Sequence, residues 1–195
     1  MTPDTGRSPS PNGRRDHTIQ WVESFAPARE REVQSRRQTL ELLRGSKTPF
    51  DRRHYEPGHI TASGLVLSPD GNRVLLVFHR RLQAWLQPGG HVDESDSDVT
   101  ATAVREVREE TGVTLAPDHN PPLVAVDVHQ IPANRREPEH LHHDLMFRFT
   151  ATSETLEAAE EVREVVWCPL HRLTDYPLDE PLLNGLERAV LSDSK

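Results

Sequence analysis

The apolar positions divide the chain into a helical beginning, a strand-rich middle and a helical end. Residues 1 to 16 are mostly Pro, Gly, Ser and charge with no apolar period, which predicts a disordered tail. From His17 to about Arg44 the pattern is helical. Ile19, Trp21, Val22 and Phe25 form one short patch that ends near Pro27. A second run from Ala28 to Leu43 carries Val33, Leu40 and Leu43 among charges, with Gly45 as its stop. Lys47 to His59 is a linker dense in turn residues. Ile60 to Leu67 and Arg73 to His79 read as strands joined through S-P-D-G-N, a hairpin. Two more strands, Leu123 to Pro132 and Leu141 to Thr152, are expected to pair antiparallel. An acidic loop or short helix, 154 to 161, precedes a strand over Val162 to Leu170. The last helix, within Pro177 to Leu191, carries Leu178, Leu182, Leu183, Leu186 and Val190 as its core stripe.

Composition narrows the function classes. At 195 residues one domain with an extension is the natural partition: a tail at 1–16, a helical extension and linker at 17–58, and the main domain at 59–195. The net charge of -8 lacks the basic footprint of a stable nucleic-acid or membrane-surface binder. The Arg14–Arg15 pair reads as part of a solvated tail. Cys168 is the single cysteine, so no internal disulfide forms; in V-V-W-C-P-L it reads as a small buried residue. No apolar run reaches the roughly 20 residues of a membrane span, and the start lacks a signal-like apolar stretch. A cytoplasmic protein is expected.

The chemistry concentrates between Pro88 and Val113. Glu106, Glu109 and Glu110 stand at i, i+3 and i+4, which sets three carboxylates on one helix face. Like charges at that spacing cost a helix roughly 0.2–0.5 kcal/mol per pair, so the row is odd unless something positive sits in front of it; a solvated charged face is the other reading of the spacing alone. Hard divalent cations take such oxygen ligands together with water and substrate phosphates. Ala103, Val104, Val107 and Thr111 form the adjacent packing arc. Asp96 and Asp98 are candidate N-caps, Gly112 is a C-cap glycine, and Arg105 can pair with Glu109. Gly89 and Gly90 permit close backbone approach.

This segment, G-H-V-D-E-S-D followed eight residues later by R-E-V-R-E-E-T-G-V, closely resembles the signature box of the Nudix hydrolases. The second half matches at Arg105, Glu106, Val107, Glu109, Glu110, Gly112 and Val113. The first half departs twice: Asp96 stands where the family has Glu, and one extra residue separates it from Arg105. W-L-Q-P-G-G-H and H-x-H-x-D-L, the latter from His140 to Leu145, are similar to a bacterial subgroup of that family over roughly 48 to 175.

The resemblance implies an α/β (α+β) fold, the α/β/α Nudix sandwich with a mixed sheet. It also implies hydrolysis of a diphosphate linked to another group, often a nucleoside derivative. Mg²⁺ or Mn²⁺ would be held by Glu106, Glu109, Glu110 and the Gly90 carbonyl, with Arg105 orienting the glutamates. A carboxylate outside the box, Glu160 or Glu161, or one within it, Glu106 or Glu109, would take the proton. Substrate contacts are expected from Arg53 (or Arg52) in the linker, from Arg80, Arg81 and Trp85, and from the histidine strand at His142. His140, His142 and Asp144 share one strand face, and Asp127 and His129 share a face of the neighbouring strand. Such a set can ligate a transition metal, bond a phosphate or base, or serve as satisfied polar packing; all three stay open. Two other functions are weighed. An isopentenyl-diphosphate isomerase would need a cysteine ahead of the box, and Cys168 follows it. A non-catalytic nucleotide sensor would not need the intact carboxylate row. The expected partner is a small diphosphate, and a homodimer is the family-level expectation.

Overall fold

The computed structural model describes residues 11–160 and 162–191. Helices α1 (Pro11–Ser24) and α2 (Glu30–Gly45) come first. The strands β1 (Gly58–Leu67), β2 (Arg73–His79), β3 (Ala84–Leu86) and β4 (Gly89–His91) follow, then helix α3 (Val99–Thr111). Strands β5 (Leu123–Ile131), β6 (His140–Thr150) and β7 (Val162–Pro169) lead through a 3-10 turn (Leu170–Asp175) to α4 (Glu180–Leu191). The first helix thus begins at Pro11, inside the stretch read as a tail. Arg14 uses its guanidinium on the carbonyls of Glu94 and Asp96, and Arg15 on that of Lys47, so both are tied down by backbone acceptors.

All seven strands join in one mixed, curled sheet. β1 runs parallel to β6 from Gly58↔Leu141 to Leu67↔Thr150, and β6 pairs antiparallel with β5. The expected β1–β2 hairpin has its turn, but the strands touch in register only at Leu67↔Val74. They splay because their edges are taken elsewhere: β1 by β6 and β4, β2 by β7 and β3. The edge of β5 is shielded by α2, whose Ser35 hydroxyl accepts from Val128 N–H.

Alternation along β1 sorts the two faces. Ile60, Ala62 and Val66 pack under α1, α2 and α3 with Val22, Phe25, Leu42, Val107 and Phe147. Leu65 and Leu67 pack under α4 with Met146, Leu182 and Leu186. Three expected core positions sit outside these layers. Val33, Leu183 and Val190 are exposed because the buried stripes run one position over, through Ser35, Thr39, Leu42 and Leu43 in α2 and through Leu182, Leu186 and Ala189 in α4. Cys168 is fully buried, as its apolar run implies. The helices bind the layers together through Arg188, which reaches from α4 to Glu32 at 2.5 Å and to the Val124 carbonyl at 3.1 Å. Among the described residues no helix is long and apolar enough to cross a membrane.

Candidate active site

Helix α3 is held at both ends by its own sequence. Asp98 is the N-cap, its carboxylate accepting from the N–H groups of Thr100 and Ala101, each at 2.9 Å. Gly112 closes the other end with φ 70°. Val99, Ala103, Val107 and Thr111 are buried, whereas Val104 is 41% exposed: it lies one residue, about 100° of helix rotation, away from the packed stripe.

Asp96 is not a cap. It bonds Arg105 twice, Oδ1 to Nε at 3.0 Å and Oδ2 to Nη2 at 2.9 Å, and also accepts from Thr102 Oγ1 and Asp93 N–H. Burial alone would push this carboxyl up, but those four donors outweigh it and hold it below the ordinary range. Arg105 spends its remaining donors on the His91 carbonyl at 2.8 Å, Glu106 Oε1 at 2.9 Å and Glu109 Oε2 at 3.0 Å. The residue that departs from the family pattern therefore anchors the arginine that orients the glutamates.

The carboxylates sit against strand β4. A Cβ on Gly90 would lie 2.5 Å from Glu106 Oε1, so only glycine lets the backbone and this carboxylate come together. Burial, with the negative Glu109 and Asp93 nearby, raises the Glu106 carboxyl despite Arg105. Glu110 is buried and its Oε2 accepts Gly89 N–H at 3.1 Å; Glu109 is exposed. A crowded, partly desolvated set of anions beside a backbone carbonyl is a donor set suited to a hard dication.

The acidic loop lies at the C-terminal end of α3. Glu157 N–H bonds the Thr111 carbonyl at 2.8 Å and Ala159 N–H the Glu110 carbonyl at 3.2 Å, which brings exposed Glu160 next to the box helix. Glu161 lies outside the described residues. The expected substrate residues scatter. Arg80 bonds the Val162 carbonyl, Arg53 folds onto Asp51, and Trp85 packs edge-on between Phe78 and Tyr176. Arg81 and Arg52 converge on Glu137, at 3.6 and 3.7 Å.

His142 belongs to a second cluster. Along β1 the face that begins with Leu67 and Leu65 becomes polar at Ser63, Thr61 and His59, and β6 repeats this with Met146, Asp144, His142 and His140. β4 adds His91 opposite Thr61, and β5 adds His129 opposite His142 and Asp127 opposite Asp144. The rings of His59, His91, His140 and His142 lie 4.8–5.1 Å apart in their successive pairs. Burial and mutual repulsion lower His59 and His91 to about 4 and His142 further still, so these rings are neutral at pH 7. Asp144 is buried and raised by that burial, with the Thr61 and Ser63 hydroxyls donating to it at 2.9 and 2.6 Å. Sequence parity found His140, His142, Asp144, Asp127 and His129. It missed His59 and His91, because β4 is too short to show a period and His59 sits where linker becomes strand.

A NUDIX domain model matches residues 58–188. A probable DHNTP pyrophosphohydrolase of Lactococcus lactis subsp. cremoris (strain MG1363) is 33% identical over 119 residues, 61% of this chain and 69% of that protein. The nucleoside diphosphate-linked moiety X motif 6 protein of Xenopus laevis is 46% identical over 63 residues, 29% of this chain, and the match spans only 29% of that protein's length. Among solved structures, the NUDIX domain of Shewanella oneidensis NrtR complexed with ADP ribose aligns at TM-score 0.50 and 24% identity, covering 68% of this chain and 86% of that one. Fold, box helix and family match agree: the chain belongs to the NUDIX domain family.

Proposed function

We propose that this protein is a Mg²⁺- or Mn²⁺-dependent hydrolase that cleaves the diphosphate bond of a nucleoside diphosphate linked to another group, within the bacterial subgroup marked by W-L-Q-P-G-G-H and H-x-H-x-D-L. The observation that carries the reading is the seating of Glu106 against Gly90, under an arginine shared with Glu109. Glu106, Glu109, Glu110 and the Gly90 carbonyl would hold the dication, which supplies charge neutralisation on the diphosphate and acidifies a bound water. Phosphoryl transfer asks the protein mainly for positioning and electrostatics. Arg105 fixes the directions of two glutamates from a base anchored on Asp96. Glu110 is set by Gly89 N–H. Glu160, held at the end of α3 by the Ala159 bond, is the carboxylate outside the helix that can take a proton; Glu106 and Glu109 are those within it.

The test is hydrolysis of a panel of nucleoside diphosphate derivatives with each metal, wild type beside Glu109→Gln, Glu110→Gln and Glu160→Gln. Turnover that collapses in the box variants supports the reading and identifies the substrate. Turnover indifferent to both box variants would place the site elsewhere. Ligands that raise Tm without being cleaved would make the protein a binder.

A further inference from the structure

Among the described residues, the three metal-ligating side chains whose donor atoms all lie within 4.8 Å of one another are histidines, not the box glutamates. We propose that the chain binds a zinc-class transition-metal ion through the Nε2 atoms of His59, His140 and His142, on the face of β4 opposite the carboxylate helix.

The hydrogen bonds set the tautomers. His59 is fully buried, its Nδ1 lies 3.2 Å from the His54 carbonyl, and its Nε2 has no partner. A carbonyl only accepts, so the proton sits on Nδ1 and Nε2 presents a lone pair. His140 repeats this: its Nδ1 donates to the Pro138 carbonyl at 2.8 Å, which leaves Nε2 as an acceptor. That Nε2 is 3.3 Å from His142 Nε2, which donates to it here and would pass its proton to Nδ1 to free a lone pair for the ion. An imidazole that donates one nitrogen to a backbone carbonyl and offers the other is how proteins orient a metal-ligating histidine. Satisfied polar packing accounts for the His140–His142 contact but leaves the buried Nε2 of His59 idle.

The distances fit as well. Ligand bonds of about 2.0–2.1 Å in a tetrahedron put neighbouring nitrogens about 3.3–3.4 Å apart. The His140–His142 pair already has that spacing, and one donor nitrogen from each of the three rings lies within 4.8 Å of the others. The backbone is built for the approach: a Cβ on Gly58 would lie 2.0 Å from the Leu141 carbonyl oxygen, so glycine lets β1 and β6 start in contact with His59 level with His142. An all-imidazole set favours zinc, cobalt or nickel over magnesium, so this site is chemically distinct from the box. Three protein ligands leave a fourth position open to water or a ligand oxygen.

The experiment uses the full chain, stripped with chelator and kept in saturating Mg²⁺. It is titrated with Co²⁺ by visible absorption and with Zn²⁺ by calorimetry. The expected result is one equivalent, a tetrahedral Co²⁺ spectrum displaced by Zn²⁺, and a Tm raised by Zn²⁺. His140→Gln and His142→Gln, checked for folding by circular dichroism, should each weaken Zn²⁺ by at least about 100-fold, more than the usual loss of an outer partner. Glu109→Gln should leave Zn²⁺ binding unchanged while losing hydrolysis, which separates this site from the proposed reaction. Absence of the Co²⁺ spectrum in the wild type overturns the proposal. So does Zn²⁺ binding that survives both folded histidine variants or disappears with Glu109→Gln.

Discussion

Replacing Arg105 by Met tests whether Asp96 and Arg105 form the joint that holds the box together. The guanidinium makes five hydrogen bonds: two to Asp96 and one each to Glu106, Glu109 and the His91 carbonyl. They cannot be summed at full strength. The Glu109 partner is exposed, and exposed pairs contribute about 0–1 kcal/mol. The Asp96 pair is different: its carboxylate is 6% exposed, and removing one partner of a buried pair costs about 3–5 kcal/mol. Thr102 and Asp93 N–H still serve Asp96 and the arginine is about one-fifth exposed, so the lower end applies, about 3 kcal/mol. For a chain of this size that is a fall in Tm of roughly 6–12 °C.

The assay is a double-mutant cycle by urea unfolding with Arg105→Met, Asp96→Ala and both. Once either partner is gone, loss of the other should matter less, by a coupling of about 2 kcal/mol. The pH dependence has a defined sign. The folded-state carboxyl of Asp96 is held below its unfolded value of about 3.9, so its contribution is present above that value and lost as pH falls through the folded one. The stability gap between wild type and Arg105→Met should therefore narrow as pH drops below about 4. Additivity within about 0.5 kcal/mol, or a gap that ignores pH, would refute the joint.

Three further outcomes follow from other contacts. Gly90→Ala places a methyl against the flexible carboxylate of Glu106, so circular dichroism and Tm should show an intact fold while divalent-metal activation of hydrolysis is lost. Glu32→Gln leaves Arg188 facing a neutral amide between α2 and α4, and chemical denaturation should show a loss of about 3 kcal/mol at pH 7. Burial works against the Glu32 charge, but Arg188 and the Ala28 and Arg29 N–H groups hold its carboxyl below the ordinary range; the wild-type advantage should shrink as pH falls below about 4.3. Val107→Ala empties a fully buried position between α3 and β1, with an expected cost of about 2 kcal/mol in unfolding free energy and unchanged metal dependence.

What could be read from the chain depended on how far each signal extends along it. The box helix was legible because its caps, carboxylate spacing and packing residues are all local. Only Val104 and the duty of Asp96 were misplaced, the second because its partner Arg105 lies nine residues on. Strands β5 and β6 were legible through their alternation. β3 and β4, three residues each, carry no period at all, and the splaying of β1 from β2 depends in part on β6 and β7, more than 70 residues away. The same distance hid His59: nothing between Gly58 and Ile60 announces that parallel pairing will set it beside His142.

Strand β4 is where the two proposed metal chemistries would meet. In a strand neighbouring side chains point to opposite faces. Gly90, opposite Ala62, gives its empty side to Glu106 under the helical layer; His91, opposite Thr61, gives its ring to the histidines on the other side. Arg105 then clamps this strand from the helix by taking the His91 carbonyl, so the guanidinium that aims the glutamates also fixes the backbone from which His91 projects. The box carboxylates and the histidine cluster thus lie on opposite faces of this strand. Their separation by ligand type, rather than by distance, is what would let each keep its own ion.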